Sequence, residues 1–296
     1  MNNLYNTINM PNSLSNDLSS YKKLIDIYCS LQHLKDKNIV FEMGNTDFIA
    51  ANLLSVLGCI LDKLIEDSNL TFSFHGINPR IKNVMQRNGF SRYLRISTIA
   101  DYNNTTIEYK IFKTTTEDLE DFERYTITNI INRNEMPNMS FLVKDRIISN
   151  ILEIFNNVID HAKTSKAYVC GQYFYKKRKL VITITDAGKT INQNVTEYFN
   201  KQLTETLKWA ILPGNSTKID SAPGGLGISM LLDFLRLNKG VFTLISGNEI
   251  LEISDREERF EIFNQSFPGT IVSITFNLMD DFSYILNIEN EDTIIF

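Results

Sequence analysis

The run Ile147-Ile148-Ser149-Asn150-Ile151-Leu152-Glu153-Ile154-Phe155-Asn156-Asn157-Val158-Ile159-Asp160-His161-Ala162 predicts a helix with two unlike sides. At ~100° per residue its isoleucines, Leu152, Phe155, Val158 and Ala162 fill one side, and Glu153, Asn156, Asn157, Asp160 and His161 gather on an arc of roughly 140° on the other. An ordinary amphipathic surface helix carries Lys, Arg and Glu of mixed sign on its polar side. Here the stripe holds two carboxylates, two carboxamides and an imidazole, so it is a candidate site as well as a candidate surface.

Two glycine-bearing runs lie downstream. Ile182-Thr183-Ile184-Thr185-Asp186-Ala187-Gly188 is an apolar strand that ends in Asp-x-Gly. A carboxylate at a strand end can accept a hydrogen bond from the amino group of a purine, and a glycine two residues on lets backbone approach the base. Pro223-Gly224-Gly225-Leu226-Gly227-Ile228-Ser229 opens a helix, whose first N–H groups are available to phosphate. Taken singly, the first run is a turn and the second a common loop.

Around these runs the second half reads as a helix over Phe141 to Ala162 and a hairpin of Ala167 to Tyr175 with Leu180 to Thr185. A helix from Val195 to Ile211 follows, then a helix ending near Asn238 and strands at Val241 to Ser246, Ile250 to Ile253 and Thr270 to Asn277. The pattern is α+β with a largely antiparallel sheet. The basic tip, Lys176-Lys177-Arg178-Lys179, reads as a solvated hairpin end. The first half reads as a β-α-β-α unit: helix Tyr21 to Leu34, strand Asn38 to Met43, helix Phe48 to Glu66, strand Leu70 to His75, and a helix from Pro79 stopped by Gly89. A strand at Thr106 to Phe112 and a polar helix at Glu117 to Asn132 lie between the halves. The expected organisation is a loose lead-in over 1–20, a first domain over 21–100, a link over 101–139, a second domain over 140–279 and a tail over 280–296.

Composition narrows the classes. The 296 residues are 43% hydrophobic and 22% charged, which sets aside disorder, collagen and coiled-coil rods. Net charge is −5, which argues against a dedicated nucleic-acid binder. The longest nearly apolar stretch, Phe48 to Leu61, is interrupted by Asn52 and falls short of the ~18 residues of a bilayer span. No secretory signal pattern opens the chain, so a cytoplasmic protein without a membrane span is expected. Cys29, Cys59 and Cys170 form no C-x-x-C pair and are expected as buried thiols.

In this order and spacing, Glu153-x-x-x-Asn157-x-x-x-His161, Asp186-x-Gly188 and Gly225-x-Gly227 resemble the N box and two glycine boxes of the gyrase, chaperone, histidine-kinase and MutL (GHKL) ATPase superfamily, the Bergerat fold. Gly269-Thr270 resembles the family's terminal Gly-Thr. The resemblance implies ATP and Mg²⁺ as ligands. Asn157 would hold Mg²⁺, Glu153 would be the general base, and Asp186 would receive the adenine amino group beside Gly188, supported by the Thr270 hydroxyl. Gly225, Leu226 and Gly227 would lie under the phosphates, Asp160 would join the nucleotide contacts, and Ser216-Thr217-Lys218 would belong to a lid, with Lys218 on a phosphate. One departure is Thr190, where the family has a second glycine after Asp-x-Gly; it puts the backbone path beyond the adenine site in doubt. Gly188-Lys189-Thr190 also imitates a P-loop end, but the required earlier glycine is Thr183 inside a strand.

The first half resembles a STAS-type domain through Ile39-Val40-Phe41, Asp47-Phe48-Ile49-Ala50-Ala51-Asn52-Leu53-Leu54, the following strand and the helix ending Gly89-Phe90. Where such antagonists carry a phosphorylated Asp-Ser, this chain has Ala50-Ala51. A histidine kinase needs an upstream phosphoacceptor; His33, His75 and His161 are the only histidines, and none has that setting. The expectation is Mg²⁺-dependent ATP hydrolysis with Glu153 activating water, coupled to lid closure and a regulatory switch. The alternatives are an anti-sigma-type serine/threonine kinase, a nucleotide-controlled partner-binding module, or a binder silenced at Thr190. A protein partner and a homodimer are what the family implies; nucleic acid and membrane are not expected.

Overall fold

The computed structural model describes residues 6–217, 226–279 and 282–286, with backbone alone at 226 and 227. Among the described residues the fold is mixed α/β, built on one three-stranded and one five-stranded sheet with two further two-stranded pairs. The first half runs β1 (Asn6–Asn9), β2 (Ser13–Leu14), α1 (Leu18–Leu31), β3 (Asn38–Glu42), β4 (Phe48–Ile49), a 3₁₀ turn at Ala51–Leu53, α2 (Leu54–Ser68), β5 (Thr71–His75), α3 (Pro79–Asn88) and α4 (Ser91–Leu94). β1, β3 and β5 form a parallel sheet in that order. The expected loose lead-in therefore contains two strands and the start of α1. β1 has Ile8 as its one large apolar residue, too little for a periodic signal; the free backbone edge of β3 makes it a strand. Phe48-Ile49, expected to open a long helix, pairs instead with Ser13-Leu14, because a short apolar run suits either state until a partner strand decides.

The second half runs β6 (Thr106–Lys113), α5 (Thr116–Thr126) with a π turn at Ile127–Ile131, β7 (Asn138–Met139), α6 (Phe141–Asn157) with a π turn at Val158–Ala162, β8 (Lys166–Phe174), β9 (Lys179–Asp186), α7 (Ile191–Phe199), α8 (Thr206–Ala210), α9 (Leu226–Asn238), β10 (Val241–Ser254), β11 (Glu258–Asn277) and β12 (Ser283–Tyr284). Five strands form an antiparallel sheet in the order β10-β11-β9-β8-β6. The segment expected as a link thus supplies the edge strand β6, and α5 packs on α6. β12, inside the expected tail, pairs with β7. The helix expected from Val195 to Ile211 is two helices: left-handed Asn200 (φ 49) closes α7 and left-handed Glu205 (φ 59) precedes α8. The two strands expected after Val241 are one, β10, whose register shifts around Gly247 (φ 61).

Strand alternation gives the large sheet two faces. Ile182, Ile184, Val169, Ile274, Phe276, Phe242 and Leu244 pack with α5, α6 and α9, and each such side chain contributes roughly 1.5–3 kcal/mol by burial. The intervening Thr183, Thr185, Cys170, Ser273 and Thr275 turn to the opposite face, where α1 and α2 cover them. That seam is polar. The Asn52 amide donates to Asn16 Oδ1 at 2.9 Å and Thr183 Oγ1 at 3.1 Å, the Ala51 N–H donates to Gln172 Oε1 at 2.6 Å, and the Tyr168 hydroxyl donates to Asp62 at 3.0 Å. The three cysteines are buried and unpaired. Among the described residues no helix is long and apolar enough to cross a membrane.

Candidate functional site

α6 starts at Ser140, whose hydroxyl accepts the Val143 N–H at 3.1 Å, and carries its apolar stripe under the sheet. Its last five residues form a π turn that left-handed Lys163 (φ 51) closes. A π turn takes more residues per rotation than an α turn, so a 100° count holds to Asn157 and fails beyond it. Asn157 and His161 both line a cleft, whereas Asp160 is exposed and stands outside its wall. Asp160, on the next turn from Asn157, faces solvent beside the cleft. Glu153, half-buried one turn before Asn157, also lies outside the wall.

The cleft offers about 140 Å³ of free space between the ends of α6 and β9, the helices α7 and α8, and the front of the sheet. Ile184, Phe242, Leu244 and Val272 make an apolar wall; Asp186, Thr270, Asn194 and Asn215 add polar groups. Asp186 is the most buried of these, 2% exposed. Its Oδ1 accepts the Gly188 N–H at 2.9 Å. Burial pushes its carboxyl up to about 7, opposed by the backbone N–H groups of Gly188 and Thr270, which favour the charged form.

Two glycines let three elements meet at this carboxyl. A Cβ on Gly188 would stand 2.1 Å from the Ala162 carbonyl oxygen, and the Lys189 N–H donates to that same oxygen. A Cβ on Gly269 would stand 2.1 Å from the Asp186 carbonyl oxygen. Both sequence signals, Asp-x-Gly and Gly-Thr, thus mark backbone approaches too close for a side chain. Thr270 sits opposite Asp186 in the β9–β11 register. Its hydroxyl lies 2.9 Å from Ser246 Oγ, and it is the Thr270 N–H that bears on Asp186. Ser246 also receives the Ile191 N–H at 2.9 Å and so ties α7 to the sheet.

Thr190, the departure from the glycine pattern, caps α7. Its hydroxyl accepts the Gln193 N–H at 3.2 Å, and Gln193 Oε1 accepts the Thr190 N–H at 2.9 Å. Its φ of −73 needs no glycine, so the backbone path is sound. Thr190-x-x-Gln193 is a capping-box signature that was legible in the chain.

Of the other expected site residues, Ser216 and Thr217 line the cleft, with Thr217 Oγ1 3.3 Å from His161 Nδ1. Lys218 and Gly225 lie outside the described residues. Leu226 and Gly227 open α9 as backbone. Trp209 and Asn194 join the cleft without being among the expected site residues. Trp209, the only tryptophan, lines the cleft with its ring 5.3 Å from that of Phe199. Asn194 donates to the His161 carbonyl at 3.1 Å. No spacing signals either one, because α7 and α8 reach the cleft only through tertiary packing. Among the described residues no group of three or more His, Cys, Asp or Glu could hold a metal ion. Ala50 and Ala51 are fully buried in the seam between the two halves. No protein-family profile matches the chain, and no curated protein matches it.

Proposed function

We propose that the cleft binds ATP and that residues 140–279, together with the edge strand β6 and the helix α5, form a GHKL-type nucleotide domain, with a STAS-like first half docked on the back of its sheet. The observation that carries this reading is Asp186: a buried acceptor at a strand end, against close-packed glycines, beside an apolar wall suited to a flat ring. In this reading one Asp186 oxygen accepts from the purine amino group while the other keeps the Gly188 N–H. Ile184, Phe242 and Val272 exclude water from the ring. The amides and hydroxyls of Asn157, Ser216 and Thr217 meet the polar remainder.

The donor set also suits Mg²⁺. Asn157 would hold it through its amide oxygen, and an ion that takes most of its ligands from phosphate and water needs no carboxylate cage. When bound, it neutralises phosphate charge. Glu153 is the residue able to take a proton from water, and it favours hydrolysis. Its position outside the cleft wall favours the second reading, a nucleotide-controlled partner module or serine kinase in which the partner completes the site. The first half offers no hydroxyl at Ala50-Ala51, which speaks against its phosphorylation there.

Calorimetric titration with a non-hydrolysable ATP analogue, with and without Mg²⁺, tests the reading. Mg²⁺-dependent binding by wild type that is lost in Asp186→Asn supports it; no binding by wild type sinks it. Glu153→Gln then separates the reactions: hydrolysis should disappear with binding retained, and label transfer to a separate protein without free phosphate would select the kinase.

A further inference from the structure

We infer that Glu249 is a positioning residue of the cleft, holding its outer wall, α8 with Trp209, onto the sheet. α8 has only five residues, too few to persist by itself. Glu205, just before it, is in the left-handed region at φ 59 and supplies no side-chain cap. The leading N–H groups of the helix therefore need a partner from elsewhere. Glu249 is that partner: its Oε2 accepts the Thr206 hydroxyl at 2.8 Å and the Leu207 N–H at 3.0 Å.

The placement is built into the sheet. Glu249 follows the register shifts between Ser246, Gly247 and Glu249 in β10, the kind of bulge that re-aims a side chain. It is 3% exposed, so water competes little for either bond. Trp209, Ala210 and Ile211, one turn along from the bonded Thr206 and Leu207, line the cleft. The β10–β11 arm that carries Glu249 is gripped in turn by α1, through the Lys22–Glu261 ion pair and a Cys29 Sγ contact with the Ser266 carbonyl. Glu249 thus joins the cleft wall to the strand pair on which the first half rests.

The consequence for nucleotide affinity rests on the ATP reading; the consequence for the wall does not. Emission and acrylamide quenching of Trp209 read the wall directly, since it is the only tryptophan. In the full chain without nucleotide, Glu249→Ala should shift Trp209 emission to the red and increase its quenching, with far-UV circular dichroism unchanged. The Kd for the non-hydrolysable ATP analogue should rise about tenfold, the scale of one lost buried hydrogen-bonded group. Glu249→Gln, which keeps an acceptor oxygen, should restore both readouts most of the way. Unchanged Trp209 quenching in Glu249→Ala overturns the inference. Should that variant fail to fold, Thr206→Val removes one of the two bonds, and wild-type quenching there overturns it equally. If wild type binds no nucleotide, the ATP reading fails while the quenching comparison still decides the role of Glu249.

Discussion

Replacing Asp186 by Asn should make the protein more stable at alkaline pH while removing its nucleotide site. The Asp186 carboxyl has its midpoint near 7 in the native protein, against an ordinary 3.8 that applies to the unfolded chain. Between those values the native state holds a proton that the unfolded state has released. Stability from this group is therefore complete below pH 3.8 and is lost as pH rises to about 7. From pH 5 to 7, two units at 1.36 kcal/mol each amount to about 3 kcal/mol. Asparagine has no such proton. Its amide also faces the Thr270 N–H differently, but that offset does not vary with pH. Guanidinium unfolding of both proteins at pH 5 and pH 8, followed by circular dichroism with m-values compared, should show the free-energy difference moving about 3 kcal/mol in favour of the variant. A difference constant across pH would mean that Asp186 is ionised and well solvated in the native state, and the argument for a buried acceptor would collapse. The expected outcome is a trade of stability for a site, as buried functional groups commonly show.

Three further outcomes follow from the geometry. Gly188→Ala places a methyl against the Ala162 carbonyl and should cost about 1–3 kcal/mol in denaturant unfolding, with weakened binding of the ATP analogue; a neutral result would mean that β9 and α6 part easily. Thr190→Ala should lose about 1 kcal/mol and Thr190→Gly only a few tenths, as for a helix cap, and equal losses would remove the capping role. Asn52→Ala withdraws an amide from Asn16 and Thr183 in the seam and should cost about 1–3 kcal/mol; a midpoint within experimental error of wild type would show that the seam holds without it.

Periodicity carried far where elements are long and one-sided. The α6 stripe, the β8–β9 hairpin and the Gly89 stop of α3 all stand where the residues place them. Local pattern carried less where an element depends on its neighbour. β1 is a strand through β3, and β4 through β2, while β6 reads as a strand in the sequence but joins the large sheet only through its pairing with β8. The candidate site divides in the same way. Asp186, Gly188, Asn157 and Gly269 could be named because strand ends, glycines and one helix face leave a local trace. Trp209 and Glu249 leave none, since one sits on a five-residue helix and the other on a bulge.

What the residues determine by themselves is which groups are available: a carboxylate closing an apolar strand, glycines where backbones cross, and a polar stripe on an apolar helix. These are properties of spacing and steric bulk, which act between near neighbours in the chain. Which groups meet is decided by the tertiary structure. The end of α6 and the π turn after it bring Asn157 and His161 to one cleft, and Glu249 holds α8 on the other side of it. The burial that lifts Asp186 toward neutral pH exists only once β9, β11 and the end of α6 have closed around it, because desolvation depends on everything packed near a charge and not on its place in the chain.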